Sequence, residues 1–267
     1  MGADIKSLRV RIKSVNSTLH LTKAMGLVAS SKIKRATDGM LKGREYSEAV
    51  TKTVELLTGL NECKKSPYMQ VRNGGRIRMI VIAGDRGLAG GYNANIFRLM
   101  REYPDATVYP IGKRACDRFG GETILAEGYS YDNAIALAKT LCEDFKNGEF
   151  DKLAIVSTKY VSMLLGEPTA EFVLPLTDDN SEQVNGAIFE PDELTVLNAA
   201  VPEYIAGKIV AAARESFACE IAARRTAMDA AGKNAQEMID ELQLKYNRAR
   251  QSSITQEITE IVAGGSQ

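Results

Sequence analysis

Residues Gly84-Asp85-Arg86-Gly87-Leu88-Ala89-Gly90-Gly91-Tyr92-Asn93 carry the one spacing in this chain that invites phosphate chemistry. Glycines between a strand and a helix let backbone N–H groups approach an anion at the helix N-terminus, where the helix dipole favours negative charge. The turn has no Lys-Ser/Thr after its glycines, so neither a phosphate-gripping lysine nor a magnesium-binding hydroxyl is placed. Its glycine spacing also misses the dinucleotide fingerprint. The reading favoured is a tight strand-to-helix turn in which Asn93 or a neighbour caps the helix.

The other reactive residues form no site by spacing. His20 is the only histidine; alone it builds neither a zinc centre nor a catalytic pair. Cys63, Cys116, Cys142 and Cys219 are scattered without metal-ligand spacing, which implies a reducing compartment and no disulfide frame. The Asp178-Asp179 pair falls in a loop, where solvated charge is the expected state. The residues therefore predict no catalytic site, no cofactor and no metal.

Without an active site, the elements carry the information. Apolar or small residues recur at Ile5, Leu8, Ile12, Val15, Leu19, Thr22, Gly26, Ala29, Ile33, Ala36 and Met40. The steps alternate between three and four, which is a heptad seam. A second seam runs Met228, Ala231, Ala235, Met238, Leu242. Two seams at opposite ends predict a long antiparallel coiled coil of the N- and C-terminal helices, about 3–60 and 202–262. Gly26 and Gly43 fall on the first seam and, with its alanines, form a thin strip for close backbone approach. The middle predicts an inserted Rossmann-like α/β domain, giving an α/β fold class with residues 1–60 and 200–267 as a discontinuous coiled coil and 61–199 as the insert. Strands are expected at 77–84, 106–111, 152–158 and 170–176, the last two antiparallel and Pro175 at an edge. Helices are expected at 93–102, 113–119 and 131–146. A short helix is predicted at 192–199, and a new one starting with Pro202 in its first turn.

Net charge is zero, yet residues 1–45 hold ten Lys or Arg against three acids. That excess of positive charge fits an acidic partner along the helix and equally a solvated coiled-coil surface. No run approaches the roughly 18 apolar residues of a membrane span, and the first residues have no signal-peptide core. The C-terminus is unusual. Ile254, Ile258, Ile261 and Val262 leave the phase of the seam, and Glu257 and Glu260 sit where the helix dipole disfavours acids. A partner enclosing this tip would account for both features; simple fraying of the helix end is the alternative.

Three blocks make the chain resemble the gamma subunits of the rotary F-type ATP synthases, over essentially its whole length. They are Arg11-Ile12-Lys13-Ser14-Val15 with Leu21-Thr22-Lys23-Ala24-Met25 and Val28-Ala29; Asp85-Arg86-Gly87-Leu88 with Gly90-Gly91-Tyr92-Asn93; and Ile254-Thr255-Gln256-Glu257 with Glu260 and Gly264. The family usually has alanine where Gly265 stands and often cysteine where Ala89 stands. The redox insert of the chloroplast form is not evident. The resemblance implies a non-catalytic central shaft, its tip inside a ring of alpha and beta subunits that hold the nucleotides. The insert becomes a foot on the membrane ring of c subunits, beside the epsilon subunit. By the same resemblance, Lys23 and Met25 lie near the acidic lever of a beta subunit. Arg250, Gln251 and Thr255, with Ile258 beyond them, meet the beta subunits at the catch loop. Phe189 and Glu190 belong to the foot contact with the c-ring and epsilon. The location implied is the cytoplasmic face of a bacterial plasma membrane, or the matrix or stromal side in an organelle, peripheral and not inserted.

Two other classes are weighed. A coiled-coil nucleic-acid binder would use the basic helix and lose affinity steeply with salt. The first 45 residues contain no aromatic residue, so base stacking is unsupported. A small α/β nucleotide-binding enzyme would use the Gly84–Gly91 turn and lacks the lysine for it.

Overall fold

The uninterrupted alternation of seam residues yields one helix, α1, over Gly2–Thr58, and the C-terminal pattern yields another, α5, over Glu193–Gly264. At 1.5 Å per residue they are about 85 and 110 Å long. The computed structural model describes residues 2–72, 74–163, 165–178 and 188–264; Asp179 and Gly265 lie outside them. The chain divides into two compact units, Met1–Ser31 with Arg224–Gln267, and Lys32–Ala223.

In the first unit the two helices pair antiparallel. Leu19, Ala235 and Ile239 form a small buried cluster with Val15 packed against it. Gly26 faces Met228 and Asp229, and Gly232 faces Thr22 and Leu19. Every seam residue of α1 from Ile5 to Ala29 is buried or half-buried. On α5 the seam takes Ile239, 5% exposed, and not Met238, which is 43% exposed. The four-then-three step through Ile239 continues to Leu242, Tyr246, Ala249 and Ser253, all buried or half-buried. Both residues are apolar and one step apart, so spacing from Ala235 to Leu242 alone does not separate them.

The second unit is built on a four-stranded sheet, β1 (Ile77–Ile82), β2 (Thr107–Ile111), β3 (Lys152–Tyr160) and β4 (Gly166–Leu174), in the order β2-β1-β3-β4. β1 runs parallel to β2 and β3, and β4 closes the sheet antiparallel to β3. Three further helices flank it: α2 (Tyr92–Leu99), α3 (Lys113–Phe119) and α4 (Tyr131–Lys146). Successive strand residues face opposite sides. Ile80, Ile82, Leu153 and Ile155 meet α4 and the Leu197–Ala213 stretch of α5 on one side. Met79, Val81, Ala154 and Val156 meet α2 and Cys219 on the other. β1 is buried from Met79 to Ile82, and a stretch buried on both faces has to be apolar at every position; Arg78, before that stretch, is half-buried and pairs with Asp144.

α5 does not begin at Pro202; it runs through it. A proline inside a helix removes one backbone hydrogen bond and costs on the order of 3 kcal/mol. Leu197, Val201, Ile205 and Ile209, spaced four apart, are fully buried in the core and hold the helix across that gap. The true start is Asp192, whose Oδ1 accepts from the Thr195 backbone N–H at 2.8 Å and whose Oδ2 accepts from the Thr195 hydroxyl at 2.8 Å. One 18-residue stretch of α5 reaches a mean hydropathy of 1.2, with 44% of it buried within the protein.

Candidate functional site

The glycine turn holds an anion of its own. Asp85 sits just past β1, and its Oδ1 accepts from the backbone N–H of Lys113 at 3.0 Å, the first residue of α3. The same carboxylate accepts from the N–H groups of Ala126 and Glu127 at 2.9 and 2.8 Å. A negative charge on a helix N-terminus and on neighbouring amides is the arrangement a phosphate would seek. Gly84 donates its N–H to Asn93 Oδ1 at 2.9 Å, so Asn93 closes the turn back onto the end of β1. A Cβ on Gly84 would stand 2.7 Å from the buried carboxyl of Glu220 on α5. Gly112 has φ +95°, and a Cβ there would overlap the Ala83 carbonyl. These glycines serve the close approach of the chain to itself.

The four cysteines are free and buried. Burial pushes the Cys142 thiol up to about 11 and the Cys219 thiol up to about 12. Neither is a thiolate at neutral pH, and the thiolate is the nucleophile. Among the described residues no group of three or more His, Cys, Asp or Glu side chains is placed to hold a metal ion. Asp178 pairs with Lys64 at 3.4 Å, and His20 is exposed.

Of the predicted contact residues, Lys23, Met25, Arg250, Gln251, Thr255 and Ile258 belong to the first unit, and Phe189 and Glu190 to the second. Lys23 is exposed on α1 and Met25 half-buried beside the seam. Leu21 and Val28, both exposed, lie four residues before and three after Met25 and so share its face, with Leu27 alongside at 72% exposure. None of these three stands among the contact residues expected from the sequence; their signal is that they are apolar yet off the seam. Arg250, Gln251 and Thr255 are exposed on α5, the Thr255 hydroxyl donating to the Gln251 carbonyl at 2.9 Å. Ile258, on the next turn, is 56% exposed, and Ile254, Ile261 and Val262 are exposed with it. Continued in the antiparallel register, α1 runs out near residue 250 of α5, roughly 30 Å along the helices from Lys23. Beyond that point, among the described residues, no stretch of α1 lies opposite the apolar tip. Phe189 is half-buried against the main core of the second unit, and Glu190 beside it is exposed.

The comparisons with known proteins agree in direction. A family model described as ATP synthase matches residues 4–266. The ATP synthase gamma chain of Ruminococcus albus is 39% identical, over 97% of this chain and 96% of that one. The gamma chain of Acetobacterium woodii, described as sodium ion specific, is 34% identical over 99% and 98%. In fold, a chain from the Euglena gracilis mitochondrial ATP synthase (OSCP/F1/c-ring) superimposes with a TM-score of 0.74 at 19% identity. That match covers 100% of this chain and 95% of that one.

Proposed function

The chain belongs to the ATP synthase gamma-chain family, and on that premise we infer that it is the central rotor shaft of a rotary ATP synthase. It couples ion flow through a membrane ring of c subunits to ATP synthesis or hydrolysis in a ring of alpha and beta subunits. The observation that carries this reading is the family match from residue 4 to residue 266.

The shaft makes and breaks no bond itself. Asp85 in the anion position of the glycine turn supports nucleotide sites located on the surrounding subunits. The shaft is assigned to residues 1–60 and 200–267, and the foot on the c-ring and epsilon to residues 61–199. The basic N-terminal segment suits an acidic lever on beta, with Lys23 and Met25 at the contact. Arg250, Gln251 and Thr255 supply directional contacts to a beta catch loop. Ile258 and its apolar neighbours supply a surface without directional bonds, which has no strongly preferred angle within an apolar sleeve. Phe189 and Glu190 belong to the foot contact, Phe189 anchoring the segment in the core and leaving Glu190 outward. The protein is peripheral, held to the cytoplasmic face of the membrane through the c-ring.

Mixing the chain with alpha and beta subunits and weighing the product by native mass spectrometry tests the assembly. One copy per six large subunits is expected, and no assembly contradicts the reading. In the assembled complex, Arg250→Ala with Gln251→Ala is expected to cut coupled ATP turnover while the isolated variant keeps its melting temperature. Unchanged turnover removes both residues from the contact.

A further inference from the structure

β3 outlasts its neighbour. Its register with β1 ends at Val81 and Val156, and β1 itself ends at Ile82, whereas β3 continues to Tyr160. Thr158 and Tyr160, two apart and so on the same edge of the strand, therefore meet no β1 residue. Their hydrogen bonds go to α5 instead. The Thr158 N–H donates to Ser216 Oγ at 3.1 Å, and the Tyr160 N–H donates to Glu215 Oε1 at 2.8 Å. The Thr158 carbonyl accepts from Cys219 Sγ at 3.6 Å. Side chains from about one turn of a helix thus complete the edge of a strand. Ser216 is 1% exposed, and Arg44 of α1 donates from Nη2 to the same Glu215 Oε1 at 2.8 Å.

We propose that Glu215 and Ser216, with Arg44 behind them, are a torque clasp: positioning residues that stop the end of β3 from shearing along α5 while the rotor works against a load. Apolar contact between a helix and a sheet has no direction and resists sliding weakly. Hydrogen bonds of fixed length and angle resist it. One glutamate carboxylate ties α1, α5 and β3 at a single point. The proposal rests on the rotor reading above.

The test uses the complete complex in sealed lipid vesicles, with ATP-driven membrane potential followed by a voltage-sensitive dye. Hydrolysis is measured with the potential collapsed and again with it built up. Glu215→Ala and Ser216→Ala are expected to leave unloaded hydrolysis unchanged and to lower the maximal potential sustained. Glu215→Gln, which keeps an oxygen for the Tyr160 amide, is expected to recover most of the loss. In the isolated chain, exchange of the Thr158 amide in Ser216→Ala is expected to speed about fivefold, the equivalent of one lost hydrogen bond. Ser216→Ala removes a single oxygen and stands as the decisive variant should Glu215→Ala not fold. A wild-type potential in Ser216→Ala overturns the clasp, as does an equal loss of hydrolysis with and without load. A wild-type complex that assembles no pump contradicts the rotor reading itself.

Discussion

Asp151 shows how one carboxylate fixes the start of a sheet. It lies just before β3, and Arg76 lies just before β1. Asp151 Oδ2 accepts from the Arg76 backbone N–H at 2.9 Å, while the guanidinium reaches Oδ1 from Nη2 at 3.2 Å. The Asp151 N–H returns a bond to the Arg76 carbonyl at 2.8 Å. Hydrogen bonds from the Arg76 side chain, then from its backbone, hold the Asp151 carboxyl below the usual carboxylate range. A group whose folded value is lowered stabilises the fold above its unfolded value, about 3.9 for Asp, and loses that contribution as pH falls through the lowered value. Asp151→Asn is therefore expected to melt earlier than wild type at pH 7. The gap should close in strongly acid buffer, as thermal melts across a pH series will register. A constant gap at every pH would exclude the ionised carboxylate as its source.

At the scale of elements, Pro202 is the position where local chemistry and tertiary packing disagree. Pro202→Ala restores a backbone N–H within a helix already held by Leu197, Val201, Ile205 and Ile209. It is expected to stabilise the protein by about 1–3 kcal/mol, less whatever the proline removes from unfolded-chain entropy. Urea titration measures the gain. The same contrast explains what was legible beforehand. α3 and α4 stand where the sequence places them, at Lys113–Phe119 and Tyr131–Lys146, because glycines end α3 and Ser130 caps α4. The antiparallel β3–β4 pair was legible from its short link. The continuity of α5 was not, because proline is a local signal and the stripe that overrides it acts through distant residues. Met238 in place of Ile239 failed for a related reason, since only the partner helix distinguishes two adjacent apolar residues. The second role of α5, finishing the β3 edge with Ser216 and Glu215, has no periodic signature at all. Of the surfaces, the apolar tip was visible as a change of phase, whereas Leu21, Leu27 and Val28 were hidden by proximity to a strong seam.

For the molecule as a whole, neutrality conceals segregation: the ten basic residues of the first 45 are balanced by acids elsewhere in the chain. Long-range attraction to an acidic partner is screened beyond about 10 Å at 0.1 M salt, so salt bears on how fast such a partner is captured more than on the final fit. The overhang of α5 bears on the protein before any partner arrives. Ile254, Ile258, Ile261 and Val262 present apolar surface to water past the point where α1 runs out. Such a surface favours sticking to another copy of itself. Purified alone, the chain is expected to sediment as a concentration-dependent mixture, and truncation after Ser253 is expected to return it to a monomer in analytical ultracentrifugation. A cell making this polypeptide ahead of its partners would then face a hazard of premature clumping, and synthesis matched in timing and amount to the subunits proposed to cover the tip would relieve it.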